Sequence, residues 1–256
     1  MTEPHDHDHD DYSKFHLGLN SLLNHIVRGN QNITEEEAQR MKGVQQPDVF
    51  LICCIDSRFQ PDKALDYGPG VALEYRPIAA VVPPVKDADQ AFLARMAFRR
   101  LKNVSNIVII AHSDCGGAQA SIQVPKPDLV NGSDLDIVAD ETHRTGLDVT
   151  KLSQEFLKAT NGDVREAGNR LAKDVSVQSL KNLMEYKGRD KHATIEDEMK
   201  AGALHVALLY YDLEKHTVEQ YDMSKGVWQP MAGFDAGGPE PQVLPPKPGA
   251  SPPPAL

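Results

Sequence analysis

The chain has 256 residues, enough to bury a full hydrophobic core in one large domain or two small ones. Its formal net charge of −10 at pH 7 argues against nucleic acid or an anionic membrane surface as a partner, and no apolar segment approaches the ~20 residues that span a bilayer. Three cysteines, two of them adjacent, are a poor disulfide framework, so we expect reduced thiols and a cytoplasmic protein.

The amino-terminal region divides into a tail and a helical arm. Residues 1–12 are acidic and rich in histidine. We expect them to be disordered, although their alternating imidazoles and carboxylates could also collect metal ions weakly. They lack the basic and apolar regions of a secretory signal. Across 13–42, apolar residues first recur at helical spacing, Gly29 then stops the helix, and Thr34 with Glu37 is the capping-box signature of a second helix.

The next element is a continuous apolar run, Val49–Ile55, rich in β-branched residues. Such a run is typical of a parallel strand that is buried on both faces. It delivers Cys54, Asp56 and Arg58 at its carboxyl end, which is where open α/β sheets place their chemistry.

A second run of the same design covers residues 106–111 and ends in His112-x-x-Cys115-Gly116-Gly117. Between the two runs, the patterns predict a short helix over 61–67, a strand over 71–76 and an amphipathic helix over 87–102. The glycine pair allows a helix to begin directly behind Cys115, and the amide groups and dipole at its start should favour the thiolate of that cysteine.

The rest of the chain predicts a loop, two helices and two strands. Residues 123–146 show little periodicity and are expected to form a loop insertion. Helical patterns cover 147–160 and 164–186, a core strand covers 203–212, and an antiparallel edge strand covers 217–221. Residues 233–256 are rich in proline and are expected to be disordered.

These elements predict one α/β domain over residues 13–232. We expect a mostly parallel central sheet of about four strands in the order 2-1-3-4, with an antiparallel edge strand. Helices should flank the sheet, and the helical arm should precede it.

Three potential metal ligands lie at the ends of two predicted strands: Cys54, His112 and Cys115. Three thiolate and imidazole ligands without an evident fourth are typical of a catalytic zinc site, which keeps one position open for water. Taken singly, each thiol could be an inert core residue and the histidine a satisfied core histidine. Cys53 should point to the opposite face of its strand from Cys54 and pack in the core.

The two motifs, Cys54-x-Asp56-Ser-Arg58 and His112-x-x-Cys115-Gly-Gly, resemble those of the β-class carbonic anhydrases. The resemblance extends from about residue 22 to residue 227. It implies one Zn²⁺ per chain, held by the three ligands named above. The reaction that it implies is reversible hydration of CO2 to bicarbonate by attack of zinc-bound hydroxide.

The resemblance also implies roles for neighbouring residues. Asp56 would accept the hydrogen bond of the hydroxide, and Arg58 would hold Asp56 ionised and away from the metal. Gln45 would reach the active site of a partner subunit and bind substrate there, and Gly117 is a second candidate for substrate binding. The chain is therefore expected to form a homodimer or a higher even oligomer.

The sequence departs from the family at two neighbouring positions. A segment that normally contains Arg-Asn-x-x-Asn keeps Arg76 but has Pro77 and Ala80 instead of the asparagines. If the asparagines of the family only buttress loops, Pro77 restores some rigidity and little changes at the metal. If they shape the substrate tunnel, the pocket becomes more apolar, with Ile78, Ala79, Ala80 and Val81 available to line it. This leaves open a hydrolase of carbonyl sulfide or carbon disulfide on the same zinc core, or a catalytically silent protein that binds zinc or bicarbonate. Leu51 replaces a tryptophan of the closed family subtype, so we expect an open site.

Overall fold

The computed structural model describes residues 33–42, 44–190 and 192–231 and divides the chain into two units, 1–43 and 44–256. In the first unit, helix α1 (Glu35–Arg40) begins at the predicted capping box. The Thr34 side chain accepts from the Glu37 N–H, and the Glu37 carboxylate accepts from the Thr34 N–H at 2.8 Å. The predictions for residues 1–32 and 233–256 lie outside the described residues.

The second unit is built around one six-stranded sheet in the order β2-β1-β3-β4-β5-β6. The strands are β1 (Val49–Cys53), β2 (Ala72–Tyr75), β3 (Asn106–His112), β4 (His205–Asp212), β5 (Thr217–Asp222) and β6 (Val227–Pro230). The first four pair in parallel, and β5 and β6 continue the sheet antiparallel. The predicted order 2-1-3-4 and the antiparallel edge are confirmed, while β6 is an additional strand.

Seven helices of this unit are described. They are α2 (Pro61–Ala64), α3 (Gln90–Leu101), α4 (Gly116–Gln123), α5 (Asp134–His143), α6 (Val149–Ala159), α7 (Val164–Met184) and α8 (Ile195–Lys200). Short 3-10 turns cover Ile78–Ala80 and Val85–Asp87. None of the helices in the described part of the chain has the length and apolar character needed to cross a bilayer.

The two faces of the sheet bury different side chains of β1. Phe50 and Ile52 pack with residues of α3 and α7, whereas Leu51 and Cys53 pack on the other face with Phe59. This alternation follows from the two-residue repeat of a strand. It places the side chain of Cys54, the residue after β1, on the face covered by α4 and α7.

The prediction of a loop over 123–146 is wrong for eleven of these residues, because Gln123 ends α4 and the ten residues of helix α5 lie within the segment. The helix begins at Ser133, whose capping box uses Asp136 in place of the usual glutamate. It packs on α4, and Thr142 shares a hydrogen bond of 2.7 Å with Ser121. The short apolar face, in which Ala139 and Thr142 are the buried residues, explains why no periodicity was evident.

Candidate metal centre

The three predicted ligands lie together at the carboxyl ends of the two central strands. Cys54 follows β1, His112 ends β3, and Cys115 is the N-cap residue of α4. Because β1 and β3 are parallel neighbours, their ends meet at the same edge of the sheet. The ligand atoms all lie within 4.8 Å of one another, and all three side chains are buried.

The geometry of the two thiols suits a tetrahedral metal ion. Their Sγ atoms are 3.9 Å apart. Two sulfur ligands at the usual zinc–sulfur distance of about 2.3 Å and a tetrahedral angle would be about 3.8 Å apart. The sulfur pair therefore needs little movement to hold zinc.

The imidazole of His112 is oriented for the same purpose. Its Nδ1 donates to the carbonyl oxygen of Ser113 at 2.8 Å, which leaves the lone pair on Nε2. Nε2 is buried and has no hydrogen-bond partner within the described structure. A backbone acceptor on one ring nitrogen and a free second nitrogen are typical of metal-binding histidines. Two thiolates and one imidazole favour zinc over the hard, oxygen-seeking cations.

The two thiols shift each other's pKa values in opposite directions. The hydrogen bond from Cys115 lowers the pKa of Cys54, and the same bond, with burial, raises the pKa of Cys115. The amide groups of Gly117 and Ala118 act in the predicted direction and lower the pKa of Cys115. Without a metal ion, the hydrogen bond with Cys54 and burial outweigh this contribution, and the net shift of the pKa of Cys115 is upward. The Sγ atom of Cys54 accepts the Ala79 N–H at 3.3 Å.

Asp56 lies beside the ligand cluster and is held by Arg58. The Arg58 guanidinium donates from Nε to Oδ1 at 3.0 Å and from Nη2 to Oδ2 at 2.7 Å. Oδ2 of Asp56 is 4.0 Å from Nε2 of His112. Burial would raise the pKa of Asp56, but the hydrogen bonds from Arg58 outweigh it and leave the pKa below its ordinary value. The carboxylate is therefore ionised at neutral pH.

The backbone of this loop is fixed by Arg76, for which the sequence suggested no role. Its Nε donates to the carbonyl of Cys54 at 3.0 Å, and Nη2 donates to the carbonyls of Asp56 at 2.9 Å and Phe59 at 2.8 Å. One guanidinium thus satisfies three carbonyls of the loop that carries a ligand and the neighbouring carboxylate. The signal in the sequence that could have indicated this role is that Arg76 is retained in the family segment whose two asparagines are replaced.

The segment after Arg76 contacts the cluster through alternate residues. Ala79 and Val81 pack with Cys54 and Cys115. Ala80 instead packs with Phe50 and its neighbours in the core between the sheet and α3. Of the residues that could line an apolar pocket, Ala79 and Val81 therefore contact the cluster, whereas Ala80 packs away from it.

The two predicted substrate-binding residues differ in their positions. Gly117 is buried in the first turn of α4, where an added Cβ would lie 2.3 Å from Cγ2 of Ile78. Gln45 is exposed and precedes β1, whereas Cys54 follows the other end of that strand. Five strand residues, about 3.3 Å each, separate the two ends. Within one chain, Gln45 is not brought to the cluster.

Comparisons with known proteins agree on one family. The family model for carbonic anhydrase matches residues 49–218. Beta carbonic anhydrase 5, chloroplastic, of Arabidopsis thaliana is 37% identical over 90 residues, which are 35% of this chain and 30% of the relative. Beta carbonic anhydrase 6, mitochondrial, of the same plant is 26% identical over 190 residues, 74% of this chain and 61% of the relative. The matched part thus spans less than two thirds of either relative.

Solved structures show the same fold. The β-carbonic anhydrase CcaA superposes with a TM-score of 0.63 at 20% identity, covering 82% of this chain and 100% of that one. A structure from the study of two tetrameric β-carbonic anhydrases of Sordaria macrospora has a TM-score of 0.56 at 22% identity, covering 82% and 94%. With a family model that matches well over half of its residues, the chain belongs to the β-carbonic anhydrase family.

Proposed function

We propose that this protein is a zinc-dependent carbonic anhydrase, a lyase that catalyses reversible hydration of CO2 to bicarbonate. The observation that carries the proposal is the buried cluster of Cys54, His112 and Cys115, with the ionised carboxylate of Asp56 4.0 Å from the imidazole of His112. Membership of the family supports the reaction, and the unpartnered Nε2 of His112 supports a metal at this place.

The ligands prepare the site by charge as well as by geometry. The thiolates of Cys54 and Cys115 balance the two charges of Zn²⁺, while His112 stays neutral. Zinc, when bound with one open position, lowers the pKa of a coordinated water towards neutrality and so supplies the nucleophile for CO2. The buried ring stacking of His112 on Phe59, with centroids 6.1 Å apart, holds the imidazole in place.

Asp56 orients the attacking water. Its carboxylate accepts a hydrogen bond from the nucleophile, and this aims a lone pair at the carbon of CO2. Arg58 keeps the carboxylate ionised, and because both carboxylate oxygens already accept from its guanidinium, Asp56 would not serve as a further metal ligand. We therefore propose an open resting site at neutral pH.

CO2 is the proposed substrate rather than carbonyl sulfide or carbon disulfide. Ala80, one of the two departures from the family segment, packs away from the cluster, which supports an unaltered pocket wall. Apolar groups such as Ala79 and Val81 discriminate among small linear molecules by only about 1–3 kcal/mol. The preference for CO2 therefore rests on the carboxylate of Asp56, which directs the attack of water on its carbon.

The test is a comparison of kcat/KM for CO2, carbonyl sulfide and carbon disulfide with one zinc-loaded preparation. We expect CO2 to give the highest value and the sulfur compounds to react slowly or not at all. A sulfur compound that reacts faster than CO2 would identify the protein as a hydrolase of CO2 analogues. No turnover of any of the three, with zinc bound, would identify a silent binding protein.

We further propose that the functional unit is a homodimer or a higher even oligomer, in which Gln45 completes the site of a partner subunit. Gln45 lies at the wrong end of β1 to serve its own cluster. Ile55, directly after the ligand Cys54, is 61% exposed, which is unusual for an apolar residue at a site and suits coverage by another subunit.

A mixing experiment tests this sharing. Subunits carrying Gln45→Ala and subunits carrying Asp56→Asn should each be nearly inactive alone. If Gln45 serves the partner, a mixed dimer contains one site with both defects and one intact site, so activity returns to about half of the wild-type value per dimer. If Gln45 serves its own chain, both sites of the mixed dimer stay defective and no activity returns.

The predicted cytoplasmic location remains a proposal. It rests on the free cysteines, all three of which are buried thiols in the structure. The two plant relatives are described as chloroplastic and mitochondrial, so organelle fractionation with an antibody against the full chain is the appropriate measurement.

A further inference from the structure

Arg58, which holds Asp56, is itself held from its other side. Its Nη1 donates to Oδ2 of Asp114 at 2.5 Å, and its Nη2 donates to the backbone carbonyl of Asp114 at 2.7 Å. Asp114 lies in the turn after β3, between two of the ligands, whereas Arg58 lies in the loop after β1. The guanidinium therefore joins the two loops that carry the metal ligands.

Asp114 occupies a prepared position. Its N–H donates to Oδ1 of Asn169 on α7 at 2.7 Å, and Gln119 on α4 donates to its Oδ1 at 2.7 Å. Nε of Arg165 lies 3.4 Å from the same oxygen. The backbone of Asp114 has φ = 56°, a conformation that aspartate and asparagine adopt more readily than most residues. Contacts from two helices thus fix the carboxylate that faces Arg58.

Arg58 needs this second anchor. Its side chain is 51% exposed and long, so its contacts with Asp56 alone would leave much rotational freedom. With Asp114 in place, four donor contacts join the guanidinium to Asp56 and to the fixed Asp114. Loss of the second anchor would loosen the fork that holds Asp56.

We propose that Asp114 is a positioning residue for the reaction: it holds Arg58 in the orientation in which Arg58 directs Asp56. This rests on the proposed carbonic anhydrase function. Asp114 acts through Arg58 and does not touch the substrate. The proposal makes the effect of Asp114 on turnover dependent on the presence of Arg58.

A double-mutant cycle measures that dependence. Asp114→Asn keeps the shape and the backbone conformation but removes the charge. We expect it to lower kcat for CO2 hydration about 10- to 100-fold, the range for residues that orient metal-site groups, with KM little changed. In an Arg58→Met background, the same substitution should change kcat less than about twofold, because its route of action is already lost.

The matched control is Glu214→Gln. Glu214 shares Arg165 with Asp114, through a contact of 3.2 Å, but belongs to the surface and is 71% exposed. It should leave kcat unchanged. Zinc content near one per chain in every variant separates the proposed effect from loss of the metal.

A second measurement does not depend on activity. Phenylglyoxal modifies free guanidinium groups, and peptide mass spectrometry gives the rate at each arginine. Arg170, which is 45% exposed and pairs with Glu166, is an internal reference of similar exposure. We expect Arg58 to react more slowly than Arg170 in the wild type and several-fold faster in Asp114→Asn, with Arg170 unchanged.

The outcomes are distinguishable. Wild-type protein that does not hydrate CO2 would refute the proposed function, while the modification rates would still decide whether Asp114 anchors Arg58. An unchanged rate at Arg58 in Asp114→Asn would overturn the inference. The inference would also be overturned if Asp114→Asn lowered kcat as much in the Arg58→Met background as in the wild type, since Asp114 would then act without Arg58.

Discussion

Cys53 and Cys54 are consecutive residues, yet their side chains lie on opposite faces of the sheet. Cys54 packs with Cys115 and the residues of α4, whereas Cys53 packs with Leu51 and Phe59 on the other face. Burial raises the pKa of Cys53 to about 12, while the hydrogen bond from Cys115 lowers the pKa of Cys54. One thiol is therefore an inert core group and the other is a prepared ligand.

This contrast predicts that two neighbouring cysteines respond differently to the same substitution. Cys54→Ala should abolish binding of zinc, because only two of the three ligands, His112 and Cys115, would remain. Cys53→Ala should keep zinc at one per chain and lower the free energy of unfolding by about 1–3 kcal/mol through the cavity that it leaves. Metal analysis after dialysis, with urea unfolding, measures both. Equal zinc content in the two variants would contradict the assignment.

The close approach of Gly117 to Ile78 makes a second prediction. A methyl group at Gly117 would lie 2.3 Å from Cγ2 of Ile78, so Gly117→Ala must displace the segment whose Ala79 N–H contacts Cys54. We expect a loss of about 1–3 kcal/mol in the free energy of unfolding, as for overpacking, and a lower kcat.

The neighbouring glycine is the control for that prediction. No heavy atom lies within 4 Å of a Cβ built on Gly116, which is exposed in the same helical turn. Gly116→Ala should leave activity unchanged and raise the free energy of unfolding by up to about 1 kcal/mol, because glycine has the larger unfolded-state entropy. If the two variants had the same free energy of unfolding in urea titrations, the contact with Ile78 would not be the cause of the destabilisation by Gly117→Ala.

The carboxylate of Asp89, at the start of α3, should make the stability of the fold depend on pH. The pKa of Asp89 is lowered, first by the Phe92 N–H that its side chain caps and then by Arg144, 2.6 Å away. A lowered folded-state pKa means that the stabilisation is present above the unfolded pKa, about 3.9, and is lost as pH falls through the folded value.

Asp89→Asn keeps a side chain that can cap the helix but removes the titrating charge. The difference in Tm between wild type and variant should therefore be largest near pH 6 and shrink towards pH 3. Thermal unfolding at both pH values measures it. A difference that stays constant or grows on acidification would mean that the charge of Asp89 does not stabilise the fold.

Much of the fold was predictable because its central strands have strong local signals. Val49–Cys53 and Asn106–His112 are continuous apolar runs, and such runs are typical of parallel strands that are buried on both faces. Strand β6 was missed because four residues ending in Pro230 resemble a turn rather than a strand. Helix α5 was missed because its buried face is small.

The sequence predicts the three metal ligands of the candidate site, but it does not predict the side-chain contacts that support them. Cys54, His112 and Cys115 have characteristic spacing at strand ends. The contacts of Arg76 with three carbonyls and of Arg58 with Asp114 join loops that are distant in sequence, so no local pattern reports them. At Cys115 the helix amides lower the pKa as predicted, but the hydrogen bond with Cys54, 3.9 Å away, and burial raise it, and no local pattern in the sequence reports that contact.

The most direct test of the account is stopped-flow CO2 hydration by purified full-length protein, measured together with zinc content across a titration from metal-free to zinc-loaded. Wild-type protein should gain activity in proportion to zinc and reach its maximum at one ion per chain. Asp56→Asn should bind the same amount of zinc but lose most of its kcat, because the carboxylate that orients the nucleophile is gone. Wild-type protein with one zinc per chain and no CO2 hydration would contradict the account, as would Asp56→Asn with wild-type turnover.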